Sequence, residues 1–323
     1  MREHSYQYKH LPIPGGGYVT GFIFHKKQPG LLYLRTDIGG TYRFDREGQR
    51  WHSLISHVTP EDLSETFPIS VALDDQAPER LYIACGEHRA KSGVLAISED
   101  YGETFRYEKI PVMIHGNLNG RGTGERLVVD HEDSCRLWFA SQQEGLWTSK
   151  DRGVRWEKCD SLPEEYLTFV GWVGNVLLVG TAGVTTAPEP GKRGHSLYAS
   201  SDGGKTFVPV REPEGHPMEG CRMSGLVAQR FSVDDRYLYV TFASTGRRSY
   251  VLENGYSCDS GDTIDGRIAR YALGPGGAIG GMEEITPGSV SPASGIGQEQ
   301  IRAGEALEYG SVSYTHLTLP TIA

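Results

Sequence analysis

The sequence has no run of about 18 apolar residues, the length a helix needs to cross a membrane. It is also short of positive charge: 32 Lys and Arg against 41 Asp and Glu leave a formal charge of −9. That balance disfavours nucleic acid as a partner, because clustered cations on phosphates supply most of such affinity. A neutral polysaccharide meets no such objection. The five cysteines, Cys85, Cys135, Cys159, Cys221 and Cys258, are odd in number, scattered and without a CxxC pair. Neither a zinc nor a redox site is expected, and the thiols read as buried or incidental. The 11 histidines lack HExxH or other ligand spacing, so no metal and no cofactor is expected. The opening MREHSYQYKHLPIPGGG has neither an apolar core nor a small-residue cleavage site. As written it carries no secretory leader, which makes the expectation cytoplasmic, or secreted if the start is misassigned. No helix of length is legible, the best amphipathic candidate being Gln298 to Leu307.

What the chain does have is 42 glycines and many short strand-like runs within 323 residues, a size at which an all-β domain can stand as one unit. Three segments superpose: SEDYGETF (Ser98–Phe105), SKDRGVRW (Ser149–Trp156) and SSDGGKTF (Ser200–Phe207). Their aspartates, Asp100, Asp151 and Asp202, stand 51 residues apart both times. Each reads S-x-D-x-G-x-x-aromatic, the pattern called an Asp-box. Ser and Asp side chains can bond local backbone N–H groups, Gly can take a positive φ, and the aromatic can plug the core as the next strand begins. These aspartates are therefore expected to be structural. Strand-like runs flank each box, GVLAIS and FRYEKI among them, and such a unit repeating at about 50 residues matches a β-propeller blade. About six blades are expected over residues 1–310 at that period. A sandwich of similar strands is the rival fold.

The last residues break this pattern. VSYTHLTLP, Val312 to Pro320, back-translates without strain to a transposon-end sequencing adapter. Residues 311–323 are therefore expected to be translated adapter, and 1–310 an incomplete propeller.

Asp37 sits in RTDIGGTY, which itself fits the D-x-G-x-T-aromatic core of an Asp-box. From the residues alone it is one more turn-holding carboxylate. Arg35, where the boxes have Ser, and the richer glycine content set it apart. The polar, glycine-rich stretch Asn119 to Arg126 reads either as a loop bonding sugar hydroxyls, with Arg121 the chosen residue, or as a plain link between blades. Trp138, Trp147 and Trp172 could stack on sugars but read first as core. Asp259, Asp262 and Asp265 resemble a calcium loop only loosely, lacking its downstream Glu.

The stretch from Gly15 to Asp45, GGGYVTGFIFHKKQPGLLYLRTDIGGTYRFD, resembles the opening of glycoside hydrolase family 74 enzymes. Further matches follow in order: ERLYIA, SEDYGETF, NGRGTGERLVVD, EGLWTSKDRGVRWEK, LYASSDGGKTF, LYVTF and GRIARYALGPGGAIGGMEEITP. The resemblance implies two seven-bladed propellers in tandem across a cleft for xyloglucan, cleaving its β-1,4-glucan backbone with inversion. It implies that Asp37 is the general base, and that the general acid lies in a second propeller beyond this chain. Inverting hydrolysis needs both carboxylates, so the chain alone is expected to be inactive. Full length, it is expected to be a monomer binding neutral poly- or oligosaccharide. A sialidase-like exo-glycosidase and a non-catalytic glycan- or protein-binding propeller remain the alternatives, though the sialidase RIP-type arginine motif is missing.

Overall fold

The computed structural model describes residues 13–58, 64–87, 90–117, 120–189, 191–214, 225–245 and 263–286. Cys221, Cys258, Asn119, Asp259, Asp262, the Gln298–Leu307 stretch and the 311–323 tail lie outside the described residues.

Apolar runs such as LTFVGWV and VLLVGT are buried along their whole length, as strands covered on both faces must be. Twenty strands form five four-stranded antiparallel sheets among the described residues, each a meander in chain order. The first holds β1 (Val19–Phe24), β2 (Leu32–Thr36), β3 (Thr41–Asp45) and β4 (Arg50–Ser53). The second holds β5 (Pro68–Asp74), β6 (Ala77–Cys85), β7 (Gly93–Ser98) and β8 (Arg106–Ile110). The third holds β9 (Leu127–Val129), β10 (Leu137–Ala140), β11 (Leu146–Ser149) and β12 (Glu157–Lys158). The fourth holds β13 (Leu167–Val173), β14 (Val176–Thr181), β15 (Leu197–Ser200) and β16 (Val208–Pro209). The fifth holds β17 (Val227–Val233), β18 (Tyr237–Thr245), β19 (Thr263–Leu273) and β20 (Ile279–Glu284).

These sheets are the blades of an all-β propeller. Bonds pass between the first strands of successive blades: Val71 N–H of β5 donates to Glu125 just before β9, and the Thr168 hydroxyl of β13 to Ala228 O of β17. Arg230 of β17 reaches back to the Thr20 carbonyl of β1 at 2.5 Å. The core lies between blades. Ile69, Leu95 and Ile97 of the second pack with Leu127, Leu137 and Phe139 of the third, and Trp138 and Leu146 of the third with Val170 and Leu177 of the fourth. Trp138 and Trp172 are buried in that fourth-blade interface, and Trp147 is half-buried. The outer strands β12 and β16 are two residues long and exposed, which blunts the edges against pairing with other chains.

The described residues form five blades where about six were expected over residues 1–310. The Asp100, Asp151 and Asp202 turns are evenly spaced, but the first strands begin at residues 19, 68, 127, 167 and 227. Connections between blades differ in length: eight residues, 159–166, lead from β12 to β13, whereas 111–126 separate β8 from β9.

An antiparallel meander fixes the ends of each blade. Turns joining strands one to two and three to four lie at one end; turns joining two to three, and the links to the next blade, lie at the other. Asp100, Asp151 and Asp202 all fall in three-to-four turns. Asp37 falls between β2 and β3, at the opposite end.

Candidate active site

The turn after β2 is built from two glycine-rich segments that meet. A Cβ on Gly39 would stand 1.9 Å from the Gly16 carbonyl, so only glycine fits there. Tyr18 and Asp37 bond reciprocally: Asp37 N–H donates to Tyr18 O at 3.0 Å, and Tyr18 N–H to Asp37 Oδ1 at 2.8 Å. The Thr36 hydroxyl accepts Gly39 N–H at 2.8 Å and closes the turn. Asp37 is therefore fixed through Oδ1, while Oδ2 faces Arg121 Nε at 3.5 Å. The Asp37 side chain is 12% exposed and that of Arg121 37%. Ile38 and Tyr18 flank it as exposed apolar surface, 48% and 44% accessible. The two residues picked from distant parts of the sequence, Asp37 and Arg121, thus stand together.

Arg121 is held from behind by buried charge. Arg35, fully buried in β2, donates through Nε to Glu125 Oε1 at 2.8 Å and through Nη1 to the Arg121 carbonyl at 3.1 Å. Glu125 Oε2 accepts the Ser70 hydroxyl at 2.7 Å and Val71 N–H at 2.8 Å. Arg230 donates to the Gly122 carbonyl through Nε at 2.9 Å and Nη2 at 2.7 Å. Burial, and then the neighbouring Arg35, push the Arg230 guanidinium down to about 10. The sequence reading passed over Arg35, Glu125 and Arg230 as site residues. The signal available was a charge inside a strand whose neighbours are apolar, as in LYLRT and VAQRFSV.

The three-to-four turns are different. Asp100 Oδ1 accepts the Ser98 hydroxyl and Thr104 N–H at 2.7 and 2.9 Å, and Oδ2 accepts the Thr104 hydroxyl at 2.6 Å. Asp202 makes the same set with Ser200 and Thr206. Asp151 uses Ser149 and Arg155, the latter through both N–H and Nε. These bonds hold the Asp100 and Asp151 carboxyls down at about 2, the first chiefly through Thr104 and the second through Arg155, and Thr206 lowers Asp202 likewise. Behind each carboxylate a glycine leans on the preceding blade: added Cβ atoms would meet Leu54 from Gly102, Leu95 from Gly153 and Trp138 from Gly204, at 2.9, 2.2 and 2.3 Å.

Cys85, Cys135 and Cys159 are free thiols. Among the described residues no three His, Cys, Asp or Glu side chains converge as a metal site requires.

No family model matches the chain. An oligoxyloglucan-reducing end-specific xyloglucanase of Emericella nidulans is 33% identical over 221 residues, covering 67% of this chain and 26% of its own length. A xyloglucanase of a Paenibacillus species is 33% identical over 253 residues, covering 71% of this chain and 24% of its own. The solved GH74 xyloglucanase of Xanthomonas campestris superposes with a TM-score of 0.66 at 28% identity, over 88% of this chain and 40% of that one. The chain belongs to glycoside hydrolase family 74. A second solved member of the family, from Niastella koreensis, matches with a TM-score of 0.66 at 26% identity, over 86% of this chain and 38% of that one. The chain spans about a quarter of the length of the curated relatives it matches.

Proposed function

We propose that this chain is the N-terminal propeller of an inverting glycoside hydrolase that cleaves the β-1,4-glucan backbone of xyloglucan or its oligosaccharides, with Asp37 as general base. One observation carries the assignment of Asp37. Among the described residues its Oδ2 is engaged by no turn bond, only by a half-exposed guanidinium at 3.5 Å, which leaves lone pairs to accept a proton from water. The remaining N–H groups of Arg121 suit sugar hydroxyls. Ile38 and Tyr18 offer an apolar flank to a sugar ring.

In this mechanism Asp37 draws a proton from water as it attacks the anomeric carbon, and a carboxylic acid about 6.5–9.5 Å away protonates the departing oxygen. Glu125 does not serve as that acid, since both its oxygens are bonded to Arg35, Ser70 and Val71. The acid is assigned to a second propeller outside this chain, and the full first propeller to seven blades. The partial coverage of longer family members supports both. Asp100, Asp151 and Asp202 are assigned to Asp-boxes with no chemical part, and residues 311–323 lie outside the native domain.

The test compares xyloglucan hydrolysis by this chain and by a protein extended with the codons that follow residue 310 in the source gene. Release of reducing ends by the extended protein alone is the expected result. Turnover by the short chain would refute the missing acid. Glycan binding without turnover by the extended protein would favour a non-catalytic propeller.

A further inference from the structure

We propose that Arg35, Glu125 and Arg230 are positioning residues for Asp37, acting through the segment Gly120–Thr123 that carries Arg121. The inference rests on the reading of Asp37 as the base.

Three successive backbone carbonyls of this segment are gripped by two buried guanidinium groups. The Arg121 and Thr123 carbonyls accept from Arg35 at 3.1 and 3.3 Å, and the Gly122 carbonyl accepts twice from Arg230. Arg230 also ties the segment to β1 through the Thr20 carbonyl, one residue past Val19 and two past Tyr18, whose N–H holds Asp37. Arg35, in β2, lies two residues before Asp37 and bonds the Thr20 hydroxyl at 2.8 Å. The Asp37 turn and the Arg121 segment are thus joined to one rigid centre from both sides.

That centre is an expensive way to join blades. Two like charges are buried close together, with Glu125 as the carboxylate between them and the strands. Removing such charges from water costs several kcal/mol each, and well-packed apolar residues often serve stability as well or better. What guanidinium groups add is direction: planar donors that fix several carbonyls at once. A backbone fixed at residues 121, 122 and 123 fixes the point from which the Arg121 side chain reaches Asp37. Preorganisation of this kind is what a catalytic carboxylate needs, since small misplacements are costly in rate.

The test uses nitrogen-15-labelled chain and two NMR signals, the Arg121 side-chain Nε–H and the Tyr18 amide. Arg121→Lys assigns the first by its loss, and Asp37→Asn shows where both signals go when the carboxylate partner is neutralised. In Arg230→Gln and in Glu125→Gln, both signals are expected to move towards their Asp37→Asn positions, and Arg230→Lys to bring them part of the way back. Adding Arg230→Gln to Asp37→Asn is expected to move Arg121 Nε–H little further, because the two changes break one interaction. Ile97→Ala, a buried core change in β7, serves as the control that lowers melting temperature without moving either signal. The proposal is overturned if Arg230→Gln and Glu125→Gln lower the melting temperature while both signals stay in place, for the trio would then be only a joint between blades. If Arg230→Gln does not fold, Glu125→Gln, which keeps the shape and removes the charge facing Arg35, decides alone. None of these signals depends on turnover, so a catalytically silent Asp37 would be recognised separately, by unchanged hydrolysis in the Asp37→Asn form of the extended protein.

Discussion

At the Asp100, Asp151 and Asp202 turns the carboxylate is consumed by its own hairpin, both oxygens bonded to the residues four further on and to the serine two before. At the Asp37 turn the serine is replaced by a buried arginine pointing elsewhere, and one oxygen is left to a half-exposed partner. The two kinds of turn share the D-x-G-x-x-aromatic outline and lie at opposite ends of the blades. The same carboxylate is thus a local strut where the lone pairs are filled and, as proposed for Asp37, a reagent where one oxygen is spared.

The sharpest way to break this comparison is to neutralise each kind of aspartate. In the extended protein, Asp37→Asn is expected to lower xyloglucan hydrolysis by about 100- to 10,000-fold, with Asp151→Asn leaving the rate constant for bound substrate nearly unchanged; reducing-end assays check both. Structural turns should answer in stability instead. Gly204→Ala sets a methyl against buried Trp138 at a residue with φ of 84°, and a loss of about 2–3 kcal/mol is expected in denaturant unfolding. Ser149→Ala removes the hydroxyl that accepts Gly153 N–H at 2.8 Å, stranding a buried donor at a cost of about 1–2 kcal/mol by the same measurement. The smallest effect is in acid. The hairpin bonds hold the Asp100 and Asp151 carboxyls at about 2 in the fold, below the ordinary 3.8 of an aspartate. Their contribution is complete above about pH 4 and fades as the pH falls towards 2. Melting temperature measured against pH should show that decline, and Asp151→Asn should flatten part of it.

The evenly spaced SEDYGETF, SKDRGVRW and SSDGGKTF segments made the blade legible because the turn is local: every bond to its aspartate's carboxylate spans four residues or fewer. The alternating and continuous apolar runs likewise marked the strands. What stayed hidden was non-local. The hairpin outline of RTDIGGTY could not say at which end of a blade Asp37 stands, since that follows from its place between the second and third strands. Arg35, Glu125 and Arg230 come from three different blades or their links and meet only in the folded chain, so no spacing in the sequence announces them. The number of blades was blurred for a related reason, because links between blades vary while the turns within them do not.

The glycines of the structural turns each lean on the blade that precedes them, Gly102 on Leu54, Gly153 on Leu95 and Gly204 on Trp138. Each of these three blades therefore carries its docking key for a lock that lies nearer the N-terminus. A chain leaving the ribosome meets its contacts in that order. The order of synthesis is thus the order in which these three contacts become available.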